Sequence, residues 1–169
     1  MRLRSIAEAD IEKGTRVIVR VDFDVPIENN KILDDTRIRE TLPTIQYLVE
    51  KGACILLLTK RGHFDVKRSP VMSTKILVPH LERLLKKRVY FIGGFSRLAQ
   101  FLSSRRRGQI FLFENLRFWP EEEANSTSLQ STLQIPQTSI SVIILGRPIV
   151  LTPPLWVFRD FFRLMPGFF

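Results

Sequence analysis

The stretch VRVDFDVPIENNKILDDTRIRETLPTI, residues 19–45, changes character three times. It begins as an apolar run with strand-forming valines and turns acidic at Asp22 and Asp24. It crosses a polar loop and then enters a segment of helical period. In that segment Ile38, Leu42, Ile45, Leu48 and Val49 recur at intervals of three and four, which predicts a helix from Thr36 to about Val49. Asp35 or Thr36 can cap its first turn. Residues 17–23 are expected as a strand. Strand, acidic loop, helix is the unit from which the rest can be read.

The same alternation continues. CILLLT (54–59) is a short uninterrupted apolar run, as expected of a strand covered on both faces. Pro79 suits the first turn of a helix carrying Leu81, Leu84 and Leu85. VYFI (89–92) and QIFLF (109–113) read as strands, and FSRLAQFL (95–102) as a helix between them. About four strand–helix alternations predict an α/β fold, a parallel sheet with flanking helices. Ligands of such sheets bind beyond the carboxyl ends of the strands. Residues 22–24, 59–63 and 114–117 stand there.

Composition bounds the partners. The chain has 169 residues, a formal net charge of +9 and a pI near 10.3, which favours an anionic partner. Cys54 is the only cysteine, so no intramolecular disulfide forms, in keeping with a reducing, cytoplasmic setting. The N-terminus has no apolar core of signal-peptide length, and no apolar run approaches the roughly 20 residues of a membrane helix. His63 and His80 lack ligand spacing, so no metal site is expected. No phosphate-binding glycine loop is present. The basic runs LLKKRVY and SSRRRGQ lack interleaved aromatics and read as solvated helix ends rather than a nucleic-acid interface.

Charge is unevenly spread. Only four of the 43 charged residues lie after Glu123, whereas five of ten prolines and five of thirteen phenylalanines do. Two regions are therefore expected, an α/β domain over 1–123 and an atypical, poorly ordered tail over 124–169.

Within the first region, Asp22 and Asp24 are either the rim of a cleft or a solvated strand end. Arg37 and Arg39 occupy a helix start, where the macrodipole prefers acids. Either they hold an anion jointly with the helix N-terminus, or they pair with Asp34 or Asp35. Arg117 either faces a cleft or balances Glu121, Glu122 and Glu123.

Three ordered motifs resemble phosphoglycerate kinase, specifically its N-terminal half. RVDFDVP resembles the family's R-V-D-x-N-V-P. DDTRIRETLPTIQYLVEKGA resembles D-D-T-R-I-R-x-x-L-P-T-I-x-x-L-x-x-x-G-A. FLFENLRFWPEEE resembles L-L-E-N-L-R-F-x-x-E-E. The resemblance covers roughly residues 5–123. It implies a Rossmann-like domain that binds 3-phosphoglycerate through arginines, with Mg-ATP or Mg-ADP held by a separate C-terminal half and no cofactor in this chain. It implies phosphoryl transfer between 1,3-bisphosphoglycerate and ADP in glycolysis, by a monomeric cytoplasmic enzyme with no membrane or nucleic-acid partner. Asp22 and Phe23 would line the substrate site, Arg37 would contact substrate and stabilise the transferring phosphoryl group, and Arg117 would bind the substrate phosphate. The remaining substrate-site positions carried over are Asp24, Thr59, Lys60, Gly62 and His63.

Three of these depart from the family pattern. Asp24 stands where the family has Asn. TKRGHF aligns with the family's S-H-L-G-R-P, so Lys60 replaces its His and His63 its substrate-binding Arg, a poor exchange for a bidentate guanidinium. After Glu123 the family pattern stops. Permitted codon choices, taken one base out of frame, let LGRPIVLTPPLWVFRDFFRLMPGF read FGTSHRAHASVVGIPRFLPAYAGF. That string resembles the family's F-G-T-A-H-R-A-H-A-S. The expectation is a one-base slip between about Ala124 and Leu129, an out-of-frame tail, and a truncated, incomplete domain with no kinase activity of its own. The alternative is a non-catalytic basic module binding an anionic ligand or RNA.

Overall fold

A computed structural model describes residues 6, 9, 11–62, 69–94, 96–97, 108–118 and 140–144. Five parallel strands form one sheet: β1 (Arg16–Arg20), β4 (Cys54–Leu58), β5 (Val89–Ile92), β6 (Ile110–Phe113) and β7 (Ile140–Ile144), in the order β5-β6-β4-β1-β7. A two-stranded antiparallel hairpin, β2 (Ile27–Glu28) and β3 (Lys31–Ile32), projects beyond β1. Two helices are described, α1 (Thr36–Glu50) and α2 (Val78–Leu85), with short 3-10 turns at 70–72, 74–77 and 116–118.

The apolar runs explain the sheet. All five residues of β4 are buried, as a strand covered on both faces requires. Alternate residues Val17, Val19, Ile55, Leu57, Ile110 and Leu112 join Ile38, Ile45 and Leu48 of α1 and Leu81 and Leu85 of α2 in one core. The opposite set, Ile18, Leu56, Leu58, Phe111 and Phe113, is buried too. Each such side chain contributes on the order of 1.5–3 kcal/mol by leaving water, so the sheet is where stability concentrates.

Local signals set the boundaries. The helix α1 ends at Lys51 in a double turn: the Gly52 amide donates to Val49 O, and the Ala53 amide donates to Leu48 O. Gly52 sits at φ +74, and a Cβ there would lie 3.0 Å from Lys13 Cγ. The hairpin turns through Asn29 and Asn30 at φ 47 and 61, the left-handed pair that a two-residue connection with matching twist demands.

The start of α1 differs from expectation. Asp35 is the N-cap residue but makes no side-chain cap bond. Asp34 does that work, its Oδ1 accepting from the Thr36 amide at 2.9 Å and the Thr36 hydroxyl at 2.6 Å. Those bonds hold the Asp34 carboxyl below its ordinary pKa.

Within the region expected as an atypical tail, residues 140–144 form β7, pairing along β1 from Arg16 with Ile140 to Arg20 with Ile144. The rest of 124–169 lies outside the described residues, as do His63 and most of the helix expected at 95–102.

Candidate functional site

In the sheet β1 lies between β4, the sheet's next strand in the chain, and β7, its last described one, a reversal of strand order at whose carboxyl ends α/β folds bind ligands. The ends of β1, β4 and β6 deliver the candidate residues there.

Beyond β1 the backbone first stays with β4, the Val21 amide donating to Leu58 O at 2.9 Å. The Phe23 amide then donates to Oγ1 of Thr59 at 3.1 Å, and the Thr59 hydroxyl donates to Lys60 O. Thr59 is therefore a buried connector between two strand ends. Phe23 is fully buried in the core, so its side chain packs there.

Asp22 and Asp24 are exposed and point outward. Oδ1 of Asp22 accepts the Asp24 amide at 3.3 Å, and its Oδ2 lies 3.0 Å from Nη1 of Arg37. The same Nη1 donates to Asp24 O at 3.2 Å. The first turn of α1 thus sends Arg37 to the end of β1, not to Asp34 or Asp35. Arg37 and Asp22 are 55% and 51% exposed, so screening keeps the pair within about 0–1 kcal/mol. Its effect is orientation: among the described residues only Nη1 of Arg37 is engaged, which leaves the other face of the guanidinium for an anion.

Asp24 has a second task. Its Oδ1 accepts the Gly62 amide at 3.0 Å, tying the loop after β4 to the loop after β1. Gly62 sits at φ 82, in the left-handed region that favours glycine. Lys60 is partly buried in that loop.

Two residues of the 114–117 stretch, Glu114 and Asn115, organise the third side. Asn115, fully buried after β6, accepts the amides of Arg61 (3.0 Å) and Arg117 (3.1 Å) on Oδ1. Its Nδ2 donates to Arg61 O and Met72 O. Glu114 accepts from Ser73 and Thr74 hydroxyls, from the Thr74 amide and from the Asn115 amide. Arg61, 5% exposed, donates through Nη1 to Val71 O and Ser73 O, and its buried Nε has no hydrogen-bond partner. Burial lowers the Arg61 pKa, opposed by the Asp24 carboxylate. In the sequence Arg61, three residues past β4, has no individual role beyond its place in the 59–63 strand-end stretch. Its carbonyl partners, 10 and 12 residues on, give no local signal.

The structure thus brings Asp22, Asp24, Arg37, Thr59 and Gly62 into one bonded rim, with Lys60 beside it and Arg117 positioned from β6. The rim is cationic and anionic at once, suited to holding a small anion between Arg37 and exposed backbone rather than to covalent chemistry. Among the described residues no group of three or more His, Cys, Asp or Glu could hold a metal ion, and no helix is long and apolar enough to cross a membrane.

The sequence model of the family described as phosphoglycerate kinase matches residues 6–137. A phosphoglycerate kinase of Fervidobacterium nodosum is 39% identical over 131 residues, covering 76% of this chain and 32% of the relative. One from Coprothermobacter proteolyticus is 41% identical over 138 residues, covering 79% and 34%. Among solved structures, the phosphoglycerate kinase of Pyrococcus horikoshii OT3 is similar with a TM-score of 0.62 at 27% identity, over 77% of this chain and 32% of that one. The chain spans about a third of the length of the relatives it matches.

Proposed function

The chain belongs to the phosphoglycerate kinase family, and on that premise we propose that the rim at the carboxyl ends of β1, β4 and β6 binds 3-phosphoglycerate. The observation that carries this reading is the delivery of Arg37 from the first turn of α1 to the end of β1, 3.0 Å from Asp22 and 3.2 Å from Asp24 O. In the complete reaction a phosphoryl group passes between 1,3-bisphosphoglycerate and ADP. No covalent intermediate is needed, so positioning and charge stabilisation supply the catalysis. Arg37 would bear on the equatorial oxygens of the transferring group, Arg117 on the substrate's own phosphate, and Asp22 on its polar end. Lys60, Gly62 and His63 would complete the rim.

We assign Mg-nucleotide binding, and hence turnover, to a second half of the family's enzymes, and this chain to the acceptor side, without kinase activity alone. Its setting would be glycolytic and cytoplasmic, and its state monomeric.

Titration calorimetry with 3-phosphoglycerate tests the reading. Arg37→Ala should weaken binding by at least about tenfold, the worth of one charge-assisted bond. Equal affinity in the variant, or ATP-dependent turnover by the 169-residue chain, would overturn it. The second reading, a basic module for RNA, has the +9 charge in its favour. It predicts RNA affinity falling steeply with salt.

A further inference from the structure

A cleft of about 1050 Å³ lies away from the strand-end rim, lined by the hairpin, the 70–76 segment and the start of α2. None of Asp22, Asp24, Arg37, Gly62 and Arg117 lines it. We propose that this cleft is a second ligand site, one that takes a nucleoside phosphate without a metal ion.

Charge comes first. Lys31 of β3, Lys75 of the 74–77 turn and Arg83 of α2 line the cleft, and among the described residues no Asp or Glu does. Among the described residues none of the three is in an ion pair. Three cations with no carboxylate among them raise the local concentration of anions and favour a polyvalent one. The three cationic side chains would neutralise the phosphates directly.

Arg83 is also held in place. Its Nη2 lies 2.8 Å from Nδ1 of His80, whose Nε2 lies 2.9 Å from Oδ2 of Asp35. An arginine can only donate, so Nδ1 accepts and the ring proton sits on Nε2, donated to Asp35. Asp35 is engaged twice, by His80 and by Nε of Arg39 at 2.7 Å, and lies outside the lining. The guanidinium is thereby tethered at the cleft wall through Nη2 to a neutral imidazole.

Apolar side chains line it too, Ile32 from the hairpin and Val71, Ile76 and Pro79 from the following segments. Val71 is 68% exposed, one of two large apolar side chains so exposed among the described residues. A bare phosphate would use the cations and gain nothing from these walls. An apolar ligand would do the reverse. A ring carrying phosphates uses both, and the volume stands just above the roughly 300–1,000 Å³ usual for small-molecule clefts.

The test uses ADP and pyrophosphate, each titrated into the full chain in EDTA by calorimetry. ADP is expected to bind at least about tenfold more tightly than pyrophosphate, since covering one apolar side chain is worth roughly 1.5 kcal/mol or more. The Lys75→Glu/Arg83→Glu variant, altered only at exposed positions, is expected to lose at least about tenfold in ADP affinity. It should keep 3-phosphoglycerate affinity within about twofold. A thermal melt matching the parent's would establish that the variant folds. Equal affinities for the two probes, or ADP affinity untouched by the double substitution, would overturn the proposal.

Discussion

Oδ1 of Asp24, beyond β1, accepts the amide hydrogen of Gly62, beyond β4, across 3.0 Å. The bond closes the rim, yet it places a carboxylate beside the position assigned to an anionic substrate. Asparagine, the residue of the family pattern, keeps a carbonyl oxygen for Gly62 and removes the charge. Asp24→Asn should therefore tighten 3-phosphoglycerate binding by about 3–10-fold, the effect of one unit charge a few ångströms away at the surface. Calorimetric titration of both proteins checks it. Weaker binding in the variant would mean that the carboxylate itself serves the ligand.

Asn115 satisfies four backbone groups from a fully buried position. Asn115→Ala should cost about 2–4 kcal/mol, because Arg61 and Arg117 amides and two carbonyls lose a partner where water enters poorly. Asn115→Asp should cost at least as much, since it keeps the acceptor but buries a charge and discards both donors. Urea unfolding midpoints at unchanged slope would give both values.

Acid should loosen the junction of α1 and α2. The Asp35 carboxyl is held below its ordinary pKa first by the bond from Arg39 and, more weakly, by that from His80, while desolvation opposes both. With the folded pKa depressed, its contribution is fully present above the unfolded value near 3.9. It is lost as pH falls through the lower folded value. Carbon-13 NMR titration should show the Asp35 midpoint rising in Arg39→Ala, and rising less in His80→Ala. A larger rise in His80→Ala would reverse the order of causes.

Asn30 turns the hairpin at φ 61. Asn30→Ala should destabilise by about 1 kcal/mol, since alanine tolerates that conformation poorly, whereas Asn30→Gly should be neutral or stabilising. A thermal melt of each variant separates the two.

The sheet and α1 were legible because their signals are dense and local. CILLLT is apolar throughout, and Ile38, Ile45 and Leu48 repeat at helical spacing. What escaped depends on partners distant in sequence or on choices among equals. Asp34, Asp35 and Thr36 are all competent caps, and Asp35 is occupied elsewhere by Arg39, four residues on, and by His80, 45 residues on. The choice of Arg37 for Asp22 spans 15 residues and needs α1 already packed at the end of β1. The segment at 140–144 sits in a Ser- and Thr-rich context without clear period, yet β1 offers it an open ladder. The resemblance supplied the candidate site, while the bonded roles of Asp24, Arg61 and Asn115 came only with coordinates.

The pairing of Arg16 with Ile140 also bears on the order of biosynthesis. On a ribosome β1 emerges first, and β4, β5 and β6 can assemble beside it as they appear. The flank of β1 that β7 will cover waits longest. At roughly 5–20 residues per second, the 26 residues from Glu114 to Ser139, sequence positions between β6 and β7, take about 1–5 s to synthesise. For that interval a row of unpaired amides and carbonyls is available to any extended strand nearby. A nascent chain is thus most open to chaperone capture, or to sticking to a sister chain, after its core is built and before its last described strand arrives.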